Sequence, residues 1–409
     1  MSISLRPVTE SEWSGWMTVE EEAFGAAVPP HREKLFRGTT EFDRSLGAFE
    51  GDLLVGVTSV DSLTMTVPGG PIPVGGVTAV GVLPSHRRRG ILSSLMTRQL
   101  ADVRERGEAV TALYASEAAI YGRFGYGRAA DSMFFTIPTS GTAFVKNAPV
   151  DPALRLRVVK PNEARSVFEK IFETVRGDRP GLYERTPARW DVVLSDHEAD
   201  QRGAGPLRAV VVEDDDGPRG YATFRTKQSF TDHDVPDGEV RLRELFGLDP
   251  AAYALLWRHL LDRDLMSHVK ASYRPSDDPL IHLLAEPRRL NAGWLDDLWI
   301  RLVDVERALA ARRYSAPVDV VIEVEDTVCP WNARRWRLSA DTSGARCTPT
   351  EDPADLTLPV TVLGAAYLGG RPLAAPQAAG ALRESRPGAV RELSTAMSWD
   401  PAPWGGLMF

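Results

Sequence analysis

The sequence predicts an α+β protein of three successive segments, each a sheet flanked by helices, dividing near residues 147 and 290. Three observations predict it. Residues 1–147 order their apolar patterns as four strands, a helix, a strand, a helix and a strand. The next segment repeats that rhythm weakly. A stretch around residues 275–293, with three prolines among charged residues, then separates off a smaller α+β unit, 291–409. The length of 409 residues agrees with two to three domains at roughly 150 residues each.

In the first segment Trp13, Trp16, Met17 and Phe24 fall at helical spacing, with Glu20, Glu21 and Glu22 on the same stretch. Two apolar runs, 46–49 and 53–60, flank Glu50-Gly51-Asp52 and read as a hairpin. Leu63, Met65 and Val67 alternate with threonines, the pattern of a half-buried strand. Residues 74–83 are apolar and Gly-containing and read as a central strand. Leu92, Leu95, Met96, Gln99, Leu100 and Val103 share one face of a helix over about 91–106. A buried strand at 110–115, a short helix at 118–124 and a last strand at 133–137 complete this sheet.

The second segment opens with Leu154, Leu156 and Val158 alternating with arginines. Pro161 stands at a helix start, and Phe168, Ile171 and Phe172 follow on one face. Strands at 208–212, 221–226 and 240–244 precede a helix over 250–261. Asp214, Asp215 and Asp216, between the first two of those strands, read as a solvated hairpin turn rather than a metal site. In the third segment residues 304–313 are helical, and Val318, Val320, Ile322 and Val324 alternate along a strand. Trp336 and Leu338 continue the sheet, and 355–370 adds a strand and a short helix. No catalytic constellation occurs there.

Composition narrows the function. Hydrophobic residues at 43% and charged residues at 25% describe a globular chain. The least polar stretch, 359–370, falls short of the ~18 apolar residues a helix needs to cross a bilayer. The opening MSISLRPVTE has no basic region followed by an apolar run, so no secretory signal is expected. A formal charge of −8 argues against nucleic acid as a partner and leaves cationic small molecules open. Two cysteines, Cys329 and Cys347, and seven scattered histidines suggest neither a disulfide framework nor a metal site, which fits a reducing cytoplasm.

The sharpest local signal is Val80-Gly81-Val82-Leu83-Pro84-Ser85-His86-Arg87-Arg88-Arg89-Gly90-Ile91. An apolar strand ends at a proline, a basic turn follows, and a glycine opens an amphipathic helix. The first N–H groups of a helix lack intrahelical partners and sit at its positive dipole end. With three arginines alongside and a glycine allowing close approach, the turn is suited to a pyrophosphate; a basic capping turn is the plain alternative. No G-x-x-x-x-G-K-[ST] occurs, which excludes a P-loop, and the early hairpins disfavour a Rossmann fold. Downstream, Ser116-Glu117-Ala118-Ala119-Ile120-Tyr121-Gly122-Arg123-Phe124-Gly125-Tyr126 places a tyrosine on a short helix ahead of a Gly-aromatic pair.

Taken in order, the two signals resemble the GNAT superfamily of acetyl-CoA-dependent N-acetyltransferases. Its phosphate motif, Q/R-x-x-G-x-G/A, is matched by Arg87 and Gly90, with a departure at Leu92. V-x-V-x-P-x-H-R-R-R-G-I followed by A-S-E-x-x-I-Y-G-R-F-G-Y-G is similar, more narrowly, to the Eis (enhanced intracellular survival) aminoglycoside acetyltransferases. The length of about 400 residues and the aromatic C-terminus agree with that family. The resemblance implies an active GNAT domain, a second, degenerate GNAT-like domain without cofactor, and a sterol-carrier-like domain whose tail reaches the active site. It also implies a homo-hexamer, for which Trp294, Trp299, Trp331 and Trp336 offer mild support in the later segments.

On that alignment Val80, Gly81 and Val82 pair with the pantetheine amides, and the Val82 N–H faces the thioester carbonyl. Arg87, Arg88, Arg89, Gly90, Ile91, Leu92 and Ser93 hold the pyrophosphate, while Ser116 and Glu117 lie near the thiol end. Tyr121, with a reference phenol pKa of ~10, is the general acid, and Tyr126 a structural aromatic. The resemblance makes the α-carboxylate of Phe409 the general base. The tail WDPAPWGGLMF is rich in aromatics, Gly and Pro, as a segment that tucks into a cleft would be. Asp400, or a water relay to Glu117, is the fallback base. Glu20, Glu21, Glu22, Asp43 and Asp400 are candidate acidic lining for a polyamine, with Phe24, Phe36 and Phe42 a candidate ring-binding wall. Protein lysine or a small metabolic amine are rival acceptors. A non-catalytic lipid-binding or scaffold protein is the reading from another class.

Overall fold

A computed structural model describes residues 3–409. Strands β1 (Ile3–Pro7), β2 (Leu46–Glu50), β3 (Leu53–Val67), β4 (Gly70–Val82), β5 (Val110–Tyr114) and β6 (Gly127–Arg128) lie in one seven-stranded sheet. Helices α1 (Trp13–Phe24), α2 (Pro30–Thr39), α3 (Ile91–Glu105) and α4 (Ala118–Tyr121) connect them. The two runs expected at 53–60 and 63–67 are one strand of 15 residues. On one face of the sheet Val60 and Val77 pack with Met96, Leu100 and Val103 of α3. On the other, Trp13, Trp16 and Val19 of α1 pack with Phe49 and Val57.

The second sheet has the order β13-β7-β12-β11-β10-β9-β8. It comprises β7 (Asp131–Pro138), β8 (Arg155–Val159), β9 (Arg208–Glu213), β10 (Pro218–Lys227), β11 (Gly238–Gly247), β12 (Met266–Pro275) and β13 (Gly293–Asp296). Along this part of the chain run α5 (Arg165–Asp178), α6 (Pro187–Val193) and α7 (Pro250–Leu261). The core of the sheet joins Val210, Phe224 and Leu245 to Leu256, Trp257 and Leu260 of α7. The aspartate turn is a hairpin in which Asp214 Oδ1 accepts from the N–H of Asp216 and Gly217, and no metal-ligand cluster occurs among the described residues.

Two strands depart from the expected segments. The strand expected to close the first sheet at 133–137 is β7, and it pairs with β12 in the second. Its place is taken by β14 (Leu298–Leu302), inserted between β5 and β6. Alternation marks a half-buried strand but does not choose its partner. Here Met133, Phe135 and Ile137 complete the core of the second sheet, while Leu298, Ile300 and Leu302 join that of the first. By contact the chain groups into two compact units, neither of them a single run of sequence. One holds the residues through Ala130, Pro180–Arg189 and Asp296–Phe409; the other holds Asp131–Arg179 and Trp190–Leu295.

The first unit also contains a sheet of β15 (Val318–Glu325), β16 (Arg335–Ala340), β17 (Ala345–Pro349), β18 (Leu356–Pro359) and β19 (Arg383–Glu384), ordered β17-β16-β15-β18-β19. Its core is continuous with that of the first sheet, for Val320, Ile322 and Leu338 share one cluster with Val110, Ala112 and Ile300. Arg301, fully buried on β14, reaches both oxygens of Asp326 at 2.8 and 2.7 Å, tying the two sheets together. A buried pair of this kind costs several kcal/mol when one partner is lost, so it specifies the arrangement.

Candidate active site

The site begins where β4 and β5 part. They pair in parallel only at Gly75–Thr111 and Gly76–Ala112. Beyond that point Val80, Gly81 and Val82 have no backbone partner on the β5 side among the described residues. A bulge helps them diverge: Ala79 and Val80 together face Thr58 alone on β3, and Ala79 takes a φ of 50°. Bulges re-aim a strand in this way beside functional sites. The result is a slot whose β4 wall carries free amide groups.

The slot opens onto the start of α3. Gly90 caps that helix with φ 81°, a left-handed conformation that favours glycine, and no side chain caps the first turn. A Cβ built there meets nothing within 4 Å. The leading N–H groups of a 15-residue helix thus face an open cleft of about 620 Å³. Val80, Gly81 and Val82 line one side of the cleft. Arg87, Arg88, Gly90, Ile91, Leu92 and Ser93 line the basic end. Ser116, Glu117 and Tyr121 close it beyond β5.

Tyr121 is 5% exposed, and burial pushes its phenol above the usual value, against a hydrogen bond to Ser116 that pulls it down. Its ring stands edge-on to Tyr126 at 6.0 Å. Tyr126 is buried and accepts a hydrogen bond from Thr111 Oγ1 at 3.0 Å, which anchors this turn to β5. Tyr121 is thus a protonated, fixed phenol at the cleft wall near neutral pH.

Two expected residues do not line this cleft. Arg89 directs its guanidinium to Glu50 Oε1 at 2.5 Å, while His86 Nε2 approaches the same carboxylate at 3.2 Å. Those partners hold the Glu50 carboxyl below its usual range. Phe409 lies elsewhere on the fork: its ring is edge-on to Tyr114, the last residue of β5, at 5.1 Å. Both catalytic candidates therefore attach to the carboxyl end of β5, Tyr121 through the helix that follows and Phe409 through Tyr114. The tail is docked, with residues 403–406 buried, whereas Asp400 is exposed.

The cleft also uses residues that sequence reading missed as lining: Ala23, His86, Ile120 and Arg123. His86 and Arg123 stand inside the two quoted motifs, so their position was the available signal. Phe24 is 51% exposed on the cleft wall, whereas Phe36 and Phe42 pack into the core around Trp13. Of the three glutamates on α1, Glu20 is half-buried and its carboxyl raised by burial and by Glu21. Glu21 accepts from Val28 N–H, and Glu22 is exposed. Asp43 pairs with Arg106 at 2.8 Å. Both cysteines are buried thiols, and burial pushes Cys329 up to about 11.

Comparison with known proteins divides the chain into three successive stretches. Residues 4–129 and 181–302 each match an acetyltransferase (GNAT) domain family, and residues 305–406 match the sterol carrier protein domain. An uncharacterized N-acetyltransferase of Streptomyces coelicolor is 45% identical over 410 residues, covering 99% of each chain. N-acetyltransferase Eis of Mycobacterium tuberculosis is 33% identical over 411 residues, covering 98% of each. The crystal structure of Eis1 from Mycobacterium abscessus superposes with a TM-score of 0.83 at 35% identity, over 99% of this chain and 100% of that one.

Proposed function

This chain belongs to the Eis-like GNAT N-acetyltransferases, and from that premise we propose that it acetylates amines of polyamine small molecules such as aminoglycosides by direct transfer from acetyl-CoA. One observation carries the reading: the free edge of β4, the uncapped basic start of α3 and the buried phenol of Tyr121 line a single cleft. The bound thioester supplies an activated acyl carbon and a thiolate leaving group. In the slot, Val80, Gly81 and Val82 offer backbone groups to the pantetheine amides, and the Val82 N–H faces the oxyanion. Arg87, Arg88 and the α3 N–H groups hold the phosphates; Arg89, paired with Glu50, supports the turn. The Phe409 carboxylate takes the proton from the acceptor ammonium, whose nitrogen then attacks the acyl carbon. As the C–S bond breaks, the Tyr121 hydroxyl gives its proton to the departing sulfur, and the second proton lost from the attacking nitrogen restores the phenol by way of solvent. The buried Cys329 and Cys347 thiols sit outside the cleft walls, which favours direct transfer over an acetyl-cysteine route.

The exposed ring of Phe24 on the cleft wall supports an acceptor with a ring to stack against it; Glu20 is half-buried and not among the residues that line the cleft. Among the described residues no helix is long and apolar enough to cross a membrane, and a cytoplasmic homo-hexamer is part of the same reading. Of the four tryptophans considered for subunit contacts, only Trp294 is largely exposed, at 55%. Trp299 and Trp331 are partly buried and Trp336 is buried. The lipid-binding alternative is not favoured, because Trp336, Leu338, Leu363 and Tyr367 pack the interior beside the sheet of β15 to β19.

The test is acceptor-dependent release of CoA thiol from acetyl-CoA, using protein with its native C-terminus. The panel comprises aminoglycosides, linear polyamines and a lysine peptide. Turnover is expected with aminoglycosides, and Tyr121→Phe should lower kcat by roughly 10²–10⁴ with acetyl-CoA affinity within about twofold. Turnover with the lysine peptide alone would move the acceptor to protein. Unchanged kcat in Tyr121→Phe would remove it as the acid.

A further inference from the structure

The last residues of the chain are held in an unusually complete way for a terminus, and two tyrosines do most of it. Tyr114, at the end of β5, donates its hydroxyl to the Gly405 carbonyl at 2.9 Å and sets its ring edge-on to Phe409 at 5.1 Å and 63°. Tyr183, buried, donates its hydroxyl to the Leu407 carbonyl at 2.9 Å and meets the same ring from another side at 5.4 Å and 83°. Edge-on contacts of this geometry are the favoured aromatic arrangement.

Tyr183 is itself fixed. It belongs to Pro180–Arg189, a segment of the first unit that runs antiparallel along the far half of β3. Thr66 N–H donates to Leu182 O and Glu184 N–H to Thr64 O, both at 2.8 Å. The tail is pinned upstream as well: Trp404 N–H donates to Pro180 O at 2.9 Å, and Gly405 N–H to Asp297 Oδ2 at 2.9 Å. A side chain at Gly405 would collide with the Tyr114 ring, so the close approach depends on glycine. Beneath the Phe409 ring lies Gly76, where a methyl group would come within 3.0 Å of Cε2. Gly76 is one of the last residues of β4 to pair with β5 before the strands part. The clamp therefore seats the final ring at the base of the catalytic fork.

From this we infer that Tyr114 and Tyr183 are positioning residues for the reaction, setting the α-carboxylate of Phe409 by gripping the ring and backbone of the tail. The inference rests on the reading of that carboxylate as the base. A terminal carboxylate is attached to a segment that ordinarily frays, and a displacement of about 1 Å can cost a catalytic group on the order of 10² in rate. Two rigid rings and two hydroxyls, one pair from β5 and one from the segment beside β3, fix the group from two places at once.

The experiment compares Tyr114→Phe, Tyr183→Phe and the double substitution, in the native chain and in one extended by Gly-Ser after Phe409. Phenylalanine keeps each ring and removes only the hydroxyl. In the native chain each single change should lower kcat roughly tenfold, with KM for acetyl-CoA within about twofold. Carboxypeptidase should release Phe409 at least about ten times faster from these variants, a readout of the grip that does not depend on turnover. In the extended chain, whose residual activity lacks the positioned carboxylate, the same substitutions should change kcat less than about twofold. Wild-type kcat and wild-type trimming in the double variant, with the extended chain inactive, would overturn the clamp while leaving the base in place. An extended chain as active as the native one would overturn the base and, with it, the catalytic role of both tyrosines.

Discussion

The two GNAT-like sheets contain the same strand–helix–strand unit, and they differ in who satisfies its open end. In the first, β4 and β5 part after two paired residues, and α3 starts at Gly90 with no side-chain cap. In the second, β11 and β12 pair in parallel from Gly238–Met266 to Leu242–Ala271 and then diverge in their turn. There the slot is filled from within. Arg274 on β12 reaches across to the carbonyl of Leu245 on β11 at 3.3 Å, and its Nε holds Asp278 Oδ2 at 2.7 Å. Tyr253, from α7, donates its hydroxyl to the same aspartate. The helix start is occupied too: Asp249 accepts from the Ala252 N–H at 2.9 Å, and Pro250 at the first position carries no N–H at all. A phosphate approaching α7 would meet a carboxylate; one approaching α3 meets free donors and arginines. The same strand–helix–strand frame thus leaves an open cleft in one sheet and a filled slot in the other. The cleft lies where the frame leaves its own polar groups without partners inside the sheet.

The largest expected effect comes from unplugging the second slot. Arg274→Met leaves the buried Asp278 without its cationic partner, which should cost about 3–5 kcal/mol. Hydrogen exchange over β11, β12 and α7 should report the loss, while acetyl-CoA still titrates to one site per chain. A second equivalent of bound acetyl-CoA in that variant would break the comparison, because a single side chain would then be all that separates the two slots.

The converse change sharpens it. Gly90→Asp copies the second helix start into the first, placing a carboxylate against the uncapped N–H groups of α3 and straining a position at φ 81°. Acetyl-CoA should bind about a hundredfold more weakly by calorimetry, through lost charge-assisted hydrogen bonds and added repulsion. Affinity within threefold of wild type would show that the helix start contributes little to holding the phosphates.

The smallest effect concerns a buried pair in the first unit, Asp61 with Arg189. Burial, resisted by Arg189, pushes the Asp61 carboxyl up to about 6. Its folded value thus lies above the ~3.9 of an unfolded chain. The folded state then binds the extra proton between those values. The stabilisation is complete below about pH 4 and is lost as pH rises through 6. Asp61→Asn should flatten the fall in Tm over that window, by a few degrees at most. An unchanged slope would mean that Arg189 keeps the carboxylate ionised throughout, as in a fully compensated ion pair.

The local pieces of this protein were legible in the residues themselves. The hairpin around Gly51, the helix over Ile91–Glu105, the helix over Pro250–Leu261 and the alternating strand at Val318 all follow from apolar periodicity and turn chemistry, which act over a few neighbours. The basic turn and Gly90 likewise announce an anion site, because an uncapped helix start and a positive φ are consequences of that short stretch alone. Other features are decisions between distant residues. The exchange of β7 for β14, the Pro180–Arg189 segment beside β3, the turn of Arg89 toward Glu50 and the grip of Tyr114 and Tyr183 on the tail each join groups far apart in the chain. Alternation is satisfied equally well by either sheet, and an arginine in a basic turn serves a phosphate or a glutamate with the same chemistry. Short-range patterns were enough for the elements and for the basic, uncapped turn before the helix over Ile91–Glu105. Which strands share a sheet, which slot stays open and where the Phe409 ring is held were settled by the packed molecule, since burial and pairing are set by neighbours that periodicity cannot name.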